Sequence, residues 1–162
     1  MIGAQAQNDI VVRANVSKFT GRALLYPNSK SKSGPLTIGR NTQLEPENVI
    51  ETGYNSRVVI SLTDGSWITV LPKSRVILKN FQAPQSAREL LEIQYGRVIV
   101  KIHHPAGKSN PYSLTSPAAS IAVRGTEFSV DVRRGGETLV FVREGLVEVW
   151  PRDNPSNKRL VA

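Results

Sequence analysis

Two segments in which a glycine precedes an alternating run of residues constrain the fold of this chain more than any other feature. Residues 122–130 carry Gly125-Thr126 at the start of an alternating run, and residues 142–149 carry Glu144-Gly145 before another. Side chains alternate between the two faces of a strand, so each run predicts a strand that is half buried. Gly125, Thr126, Phe128 and Gly145 are therefore interpreted as determinants of architecture. The pattern is not typical of a catalytic loop.

Similar alternation recurs along most of the chain and predicts an all-β fold. A turn at Asp64-Gly65 and a Gly-Gly loop at 133–137 are typical hairpin connections. Only residues 86–91 resemble a helical turn, and they are too few for a stable helix. We expect about nine to twelve short strands in a twisted two-sheet sandwich or a short β-roll, and the sequence leaves both open. The clearest strands are 57–62, 67–71, 75–79, 90–95, 97–102, 127–132, 138–142 and 146–150.

Composition limits the possible function classes. The 162 residues suffice for one domain with its own core, and the absence of cysteine excludes disulfides, thiolate metal sites and cysteine nucleophiles. The formal net charge of +8 favours acidic partners. The basic residues are dispersed along the chain, however, and form no block of the kind that binds nucleic acid. A nucleic-acid partner is therefore disfavoured.

The chain divides into four parts by pattern. Residues 1–8 contain Ala4-Gln5-Ala6, the small-x-small form that precedes a signal-peptidase cut, and are expected to be a disordered remnant of export. Residues 9–47 are expected to form lead-in strands with a basic loop at 26–35. Residues 48–150 form the main β-domain, and 151–162 are an extension that stops as if in mid-strand.

Six short motifs follow one another in the main domain. They are Thr52-Gly53 to Val58, Leu62 to Ser66, Leu71 to Val76, Tyr95 to Val98, Val123 to Val130 and Val142 to Val147. These motifs occur in the order found in the FecR domain family, and residues 48–150 resemble that family. The resemblance implies an exported bacterial domain that binds partners and has no catalytic residues. The family is known for a periplasmic iron-dicitrate sensor, but the cytoplasmic segment and membrane helix of that sensor have no match here, so iron signalling is not implied.

Cations supply the candidate contacts. Arg124 either forms an exposed contact or pairs with Glu127 or Glu144. Two further rows, each including one isoleucine, are expected on outward strand faces, where they either bind an anionic glycan or an acidic protein strip or simply face solvent. These rows contain Lys73, Arg75 and Lys79, and then Arg97 and Lys101.

Metal binding and catalysis are not supported by any motif. His103 and His104 are adjacent, so in a strand their rings point to opposite faces and do not easily share a metal. No catalytic signature or nucleophile elbow is present in the sequence. Neither a metal nor a cofactor is expected.

The function predicted from these patterns is a non-enzymatic, extracytoplasmic domain that mediates protein or envelope-polymer interaction, with a role in signal transduction. Its partner would be a protein, peptidoglycan or another anionic glycan. Two alternatives remain. The chain could be a structural spacer of a larger envelope protein, or a basic domain that binds polyanions such as nucleic acid.

Overall fold

The computed structural model describes residues 11–106 and 108–162, so the expected signal remnant at 1–8 lies outside the described residues. This part contains fifteen strands and one 3-10 turn, Gln85–Ala87. The strands are β1 Ala14–Thr20, β2 Ala23–Tyr26, β3 Leu36–Thr37, β4 Gln43–Leu44, β5 Val49–Thr52, β6 Arg57–Leu62, β7 Trp67–Val70, β8 Arg75–Leu78, β9 Glu89–Lys101, β10 Tyr112–Thr115, β11 Ala119–Val123, β12 Glu127–Val132, β13 Thr138–Glu144, β14 Val147–Pro151 and β15 Arg159–Val161.

The strands form two sheets that share β9. The first sheet has the order β4-β1-β6-β7-β9-β12-β13, and the second has the order β3-β2-β5-β8-β9-β10-β11-β14-β15. All neighbours are antiparallel except β9 and β10. The all-β expectation is confirmed, in the form of one continuous sheet folded over a single core.

Gly96 marks the point where β9 passes from one sheet to the other. Tyr95 pairs with Arg75 in the second sheet, whereas Gly96 pairs with Val132 in the first. The φ angle of Gly96 is 95°, and a Cβ atom there would overlap Ser74. Glycine permits this bend because it lacks the Cβ that disfavours positive φ. Residues 90–95 and 97–102, predicted as two strands, are thus one bent strand.

The inner faces of both sheets supply one apolar core. As predicted, Ile68, Val70, Val76 and Leu78 point inward and are fully buried. Phe128 is 1% exposed and belongs to the same cluster, which includes side chains from both sheets. Burial of these apolar surfaces is the main force that holds the two sheets together.

Several local predictions were wrong. The strand count exceeds the expected nine to twelve because of two very short strands, β3 and β4, and because β5, β10 and β11 were not predicted. The helical turn is confined to Gln85–Ala87, and Leu90 lies in β9. Lys73 adopts a turn with φ of 56°, so it does not share a strand face with Arg75. Ile77 was expected to face outward but is 5% exposed.

The terminal regions are built into the two sheets. Within 9–47, β1 pairs with β6 in the first sheet and β2 pairs with β5 in the second. Within 151–162, β15 pairs with β14. In the described part of the chain, no helix has the length and apolar character needed to cross a membrane.

Candidate binding site

The Arg-Gly-Thr turn connects β11 to β12 and so carries the chain from the second sheet to the first. Gly125 has a φ angle of 103°, and a Cβ atom at this position would overlap the His104 ring. Only glycine combines this backbone conformation with so close an approach. Arg124, immediately before it, is exposed. The turn therefore fixes the backbone and leaves the arginine at the surface.

Thr126 packs against the second glycine turn. A Cβ atom at Gly145, whose φ angle is 94°, would lie 2.5 Å from Thr126 Cγ2. Thr126 is 5% exposed, and its hydroxyl has no hydrogen-bond partner among the described residues. Thr126 is a packing residue with an unused polar atom.

A trough of about 640 Å³ lies beside this turn on the outer face of the second sheet. Its floor is low because Ser113 and Ala122, two small residues, are paired across β10 and β11. The exposed side chains of Leu146 and Leu160 line it as well. The other lining residues are Gln85, Ala87, Arg88, Glu89, Pro111, Tyr112, Val123, Arg124, Gly125, Thr126 and Glu148.

Arg88 brings a second guanidinium group to the trough. Its Nη2 donates to Asn110 Oδ1 at 2.6 Å, its Nη1 donates to Tyr112 Oη at 3.3 Å, and its Cζ lies 4.5 Å from the Tyr112 ring centroid. The Nε atom is buried and has no hydrogen-bond partner in the part of the chain that the structure describes. Two unused polar atoms, Arg88 Nε and Thr126 Oγ1, thus belong to residues of one trough.

The same network reaches Asp64 in the hairpin turn between β6 and β7. Tyr112 Oη donates to one carboxylate oxygen at 2.5 Å, and Asn110 Nδ2 donates to the same atom at 2.9 Å. The backbone N–H of Ser66 donates to the other oxygen at 2.8 Å. Gly65, with φ of 91°, closes the turn as the sequence predicted. Asp64 therefore anchors the polar side chains that carry Arg88.

The pKa values in this network are shifted in opposite directions. Burial acts to raise the pKa of Asp64, but the hydrogen bonds from Tyr112, Asn110 and Ser66 outweigh it and lower the value. The pKa of Tyr112 is raised, first by burial and then by the adjacent Asp64 carboxylate. The stable state of the pair is an ionised aspartate and a neutral tyrosine.

The model of the family described as "FecR protein" matches residues 48–148. The chain belongs to the FecR family. This range begins in the loop before β5 and ends in β14, so it contains the Arg-Gly-Thr turn, the glycine turn at 145 and the Asp64 network of the FecR site. The expected family is thus confirmed.

Solved structures share this FecR fold. Two crystal structures of a candidate anti-sigma factor from Parabacteroides distasonis ATCC 8503 match with a TM-score of 0.55 and 20% identity, over 70% of this chain. The chain spans about half of the length of these proteins, since 50% of each is covered. A comparison with curated proteins found no match.

The first row of predicted contacts, Lys73, Arg75 and Lys79, does not line the FecR trough. Each of these cations interacts with an acidic or an aromatic side chain. Arg75 Nη1 is 2.6 Å from Glu51 Oε2, and Arg75 Nε donates to Gln94 at 2.6 Å. Lys79 Nζ is 3.4 Å from Glu47. The Nζ of Lys73 lies 3.7 Å from the centroid of the Tyr54 ring.

The second row lies on the outer face of the first sheet. Lys101 and Arg143 both pair with Glu127, at 3.8 Å and 2.9 Å. Arg97 is exposed and opposite Asp131 in the ladder. Glu127 is therefore not available to Arg124, which forms no ion pair with any described residue. The expected pairing of Arg124 with Glu127 or Glu144 is wrong, and the exposed-contact alternative remains.

The two histidines do not form a shared site in this FecR domain. The His103 ring lies beside Gly65, and the His104 ring lies beside Gly125. Within residues 11–106 and 108–162, no group of three or more His, Asp or Glu side chains is placed to hold a metal ion.

Sequence reasoning missed Arg88, Asn110 and Tyr112. Alternation at 112–115 and 119–123 was the available signal for β10 and β11, but the preceding proline-rich loop obscured it. The hydrogen bonds between two side chains in this network join residues that are 22 to 48 positions apart. No local pattern reports such contacts.

Proposed function

We propose that this FecR-family chain is a non-enzymatic, extracytoplasmic signalling domain that binds a protein partner in the trough beside Arg124. The observation that carries the proposal is the exposed Arg124, with no acidic partner among the described residues, next to exposed Leu146 and Leu160. Arginine and apolar side chains around a recess are typical of protein interfaces.

A protein is favoured over peptidoglycan or another anionic glycan. Glu89 and Glu148 line the trough together with Arg88 and Arg124, so the surface carries both signs of charge. The cation row that could have attracted a glycan is engaged through Arg75 and Lys79. These charges also argue against nucleic acid.

The role in signalling rests on the family and on its structural relatives. FecR domains are known as extracytoplasmic sensors, and the matched structures belong to a candidate anti-sigma factor. We propose that residues 48–150 form the FecR unit, extended by 9–47 and 151–162. The alternative of a passive structural spacer would leave the trough without a partner.

Site-specific photo-crosslinking in cells tests the proposal. A benzophenone amino acid at Leu160 lies in the trough, and the same probe at Leu36, which is 60% exposed on β3, is the matched control. We expect Leu160 to capture one envelope protein that Leu36 does not capture. Arg124→Glu should abolish this product, whereas Arg134→Glu, in the exposed Gly-Gly turn, should preserve it.

Equal capture at both positions, or capture that persists with Arg124→Glu, would exclude the trough as the binding site. A product containing only cytosolic protein would contradict the extracytoplasmic location. Lack of any specific product would favour the structural spacer.

A further inference from the structure

Strand β13 has an unpaired edge. Among the described residues it pairs with β12 alone, and at seven residues it is the longest strand at any sheet edge. The other edge strands, β3, β4 and β15, contain two, two and three residues. A long edge strand presents a row of free backbone donors and acceptors to another chain.

The hydrogen bonds of the hairpin identify which groups are free. The N–H of Arg133 donates to the carbonyl of Glu137 at 2.9 Å. Bonded and non-bonded pairs alternate in an antiparallel ladder, so Leu139 and Phe141 also direct their backbone groups toward β12. Thr138, Val140 and Val142 therefore direct theirs toward the open edge.

The side chains of β13 do not protect this edge. Residues 138–142 contain no charged residue and no proline. Charged side chains, especially lysine, and proline are the usual means by which proteins prevent pairing at an edge strand. Phe141 is 56% exposed, and Val140 and Val142 only partly cover the core. Val140 also lines a slit of about 420 Å³ with Val149 of β14 and with Arg159 and Val161 of β15.

We propose that β13 pairs antiparallel with β13 of a second copy of this chain, about a two-fold axis at Phe141. The two Phe141 side chains then face each other, and Val140 faces Val142 of the second copy. Both valines present free backbone groups, so the ladder continues with correct hydrogen bonding. A two-fold interface uses the same patch on both subunits.

Charge favours this register. Arg143, whose side chain is 81% exposed, would lie opposite Leu139 and diagonal to Glu137 of the second copy, on the same face. Glu137 is 62% exposed. The two Arg143 residues would be about 14 Å apart, because four residues of strand separate them along the axis. In this register Arg143 lies near Glu137 of the second copy, whereas the two Arg143 side chains stay apart.

A single engineered cysteine tests the register, because the chain contains no cysteine of its own. Directly opposed residues at a non-hydrogen-bonded pair have Cα atoms about 4.5 Å apart, within the range of about 4.4–6.8 Å that a disulfide requires. We expect Phe141→Cys to form a covalent dimer under mild oxidation. Leu139→Cys alone should not, since its copies would be about 14 Å apart.

Mixing Leu139→Cys with Arg143→Cys should restore the crosslink, because these positions are opposed in the proposed register. Dimer formation by Leu139→Cys as efficient as by Phe141→Cys would indicate random collision and overturn the proposal. So would the absence of any crosslink with Phe141→Cys.

Sedimentation equilibrium tests the interface without a crosslink. The unmodified chain should dimerise as its concentration rises, and Phe141→Lys should shift this equilibrium toward monomer by at least tenfold. Leu36→Lys, at a comparably exposed site on the short edge strand β3, should not. Circular dichroism verifies that both variants are folded. A chain that stays monomeric at all concentrations would refute the proposal, and would leave the edge to a different protein.

Discussion

Tyr112 Oη donates a hydrogen bond of 2.5 Å to the Asp64 carboxylate, across 48 residues of sequence. This contact ties the hairpin turn between β6 and β7 to the first residue of β10. Because β6 and β7 lie in the first sheet and β10 lies in the second, the bond also links the two sheets. Arg88, at the trough, is held by the same tyrosine.

We expect Tyr112→Phe to lower the free energy of unfolding by about 1–3 kcal/mol, since one donor to the half-buried Asp64 carboxylate is lost. Urea unfolding followed by fluorescence or circular dichroism measures this. Tyr95→Phe is the control, because Tyr95 is 40% exposed and its hydroxyl forms no hydrogen bond with a described residue. Equal effects of the two substitutions would contradict a special role for the Asp64 bond.

The pKa of Asp64 is lowered in the folded state, so its contribution to stability has a defined pH dependence. The contribution is present above the unfolded value of about 3.9 and is lost as pH falls through the folded pKa. Asp64→Asn should therefore flatten the decline in unfolding free energy as the pH falls below about 4. A profile as steep as that of the unmodified protein would show that other carboxylates dominate.

At alkaline pH, the contribution of Tyr112 to stability depends on pH with the opposite sign. The pKa of Tyr112 is raised, so its contribution is complete below the unfolded value of about 10 and is lost as pH rises toward the folded pKa. Thermal unfolding between about pH 9 and pH 11 should decline less steeply for Tyr112→Phe than for the unmodified protein. An unchanged slope would argue against burial of the hydroxyl.

Alanine substitutions at Gly145 and Gly135 distinguish the cost of backbone strain from the cost of steric overlap. Both have positive φ, 94° and 89°, but a Cβ atom at 135 meets nothing within 4 Å, whereas one at 145 lies 2.5 Å from Thr126 Cγ2. We expect Gly135→Ala to cost about 1–2 kcal/mol and Gly145→Ala about 1–3 kcal/mol more. Calorimetry or urea unfolding would measure both.

Thr126→Ser removes the overlapping methyl group and should reduce the additional cost of Gly145→Ala in the double variant. Strictly additive effects would mean that the glycine turn does not pack on Thr126.

Thr126→Val tests whether the hydroxyl of Thr126 is unused. Its Oγ1 has no partner, whereas Oγ1 of Thr52, which is also buried, donates to the Leu71 carbonyl at 2.6 Å. We expect the unfolding free energy of Thr126→Val to stay within about 0.5 kcal/mol or to rise, and that of Thr52→Val to fall by about 1–3 kcal/mol. Similar losses at both positions would indicate a hydrogen bond at Thr126.

Binding to DNA should be weak and strongly dependent on salt, despite the net charge of +8. The basic residues are dispersed along the chain, and Arg75, Lys79 and Lys101 pair with Glu51, Glu47 and Glu127, so we expect few cations to contact one duplex at the same time. Mobility-shift assays should show binding at about 50 mM salt that disappears at about 200 mM. Sequence-specific binding that persists at the higher salt would revive the nucleic-acid alternative.

The prediction of individual strands succeeded where the signal was local. Residues 57–62 and 127–132 alternate regularly between glycine-containing turns, and β6 and β12 have those bounds. The bend at Gly96 was not predicted, because alternation continues on both sides and only the change of neighbouring strands reveals it. Short β3 and β4 carry too few residues to show a period.

The charged contacts were predicted less well than the strands. The sequence left two alternatives for Arg124, an exposed contact or an ion pair with the nearby Glu127 or Glu144, and the ion pair is absent among the described residues. In the structure, Glu127 points to the outer face of the first sheet, between Lys101 and Arg143. Arg124 lies in the turn before that strand and lines the trough of the second sheet. Closeness in sequence does not determine pairing where the chain changes sheets.

The sequence alone therefore determined the all-β class, the glycine turns and membership of the FecR family, because alternation and turn chemistry are properties of single short segments. Tertiary structure decided which cations remain exposed and where a partner could bind. The reason is the parallel register of β9 and β10, which places Glu89 beside Ser113 and so brings Arg88 to Tyr112. Such a register depends on how both sheets close over the core.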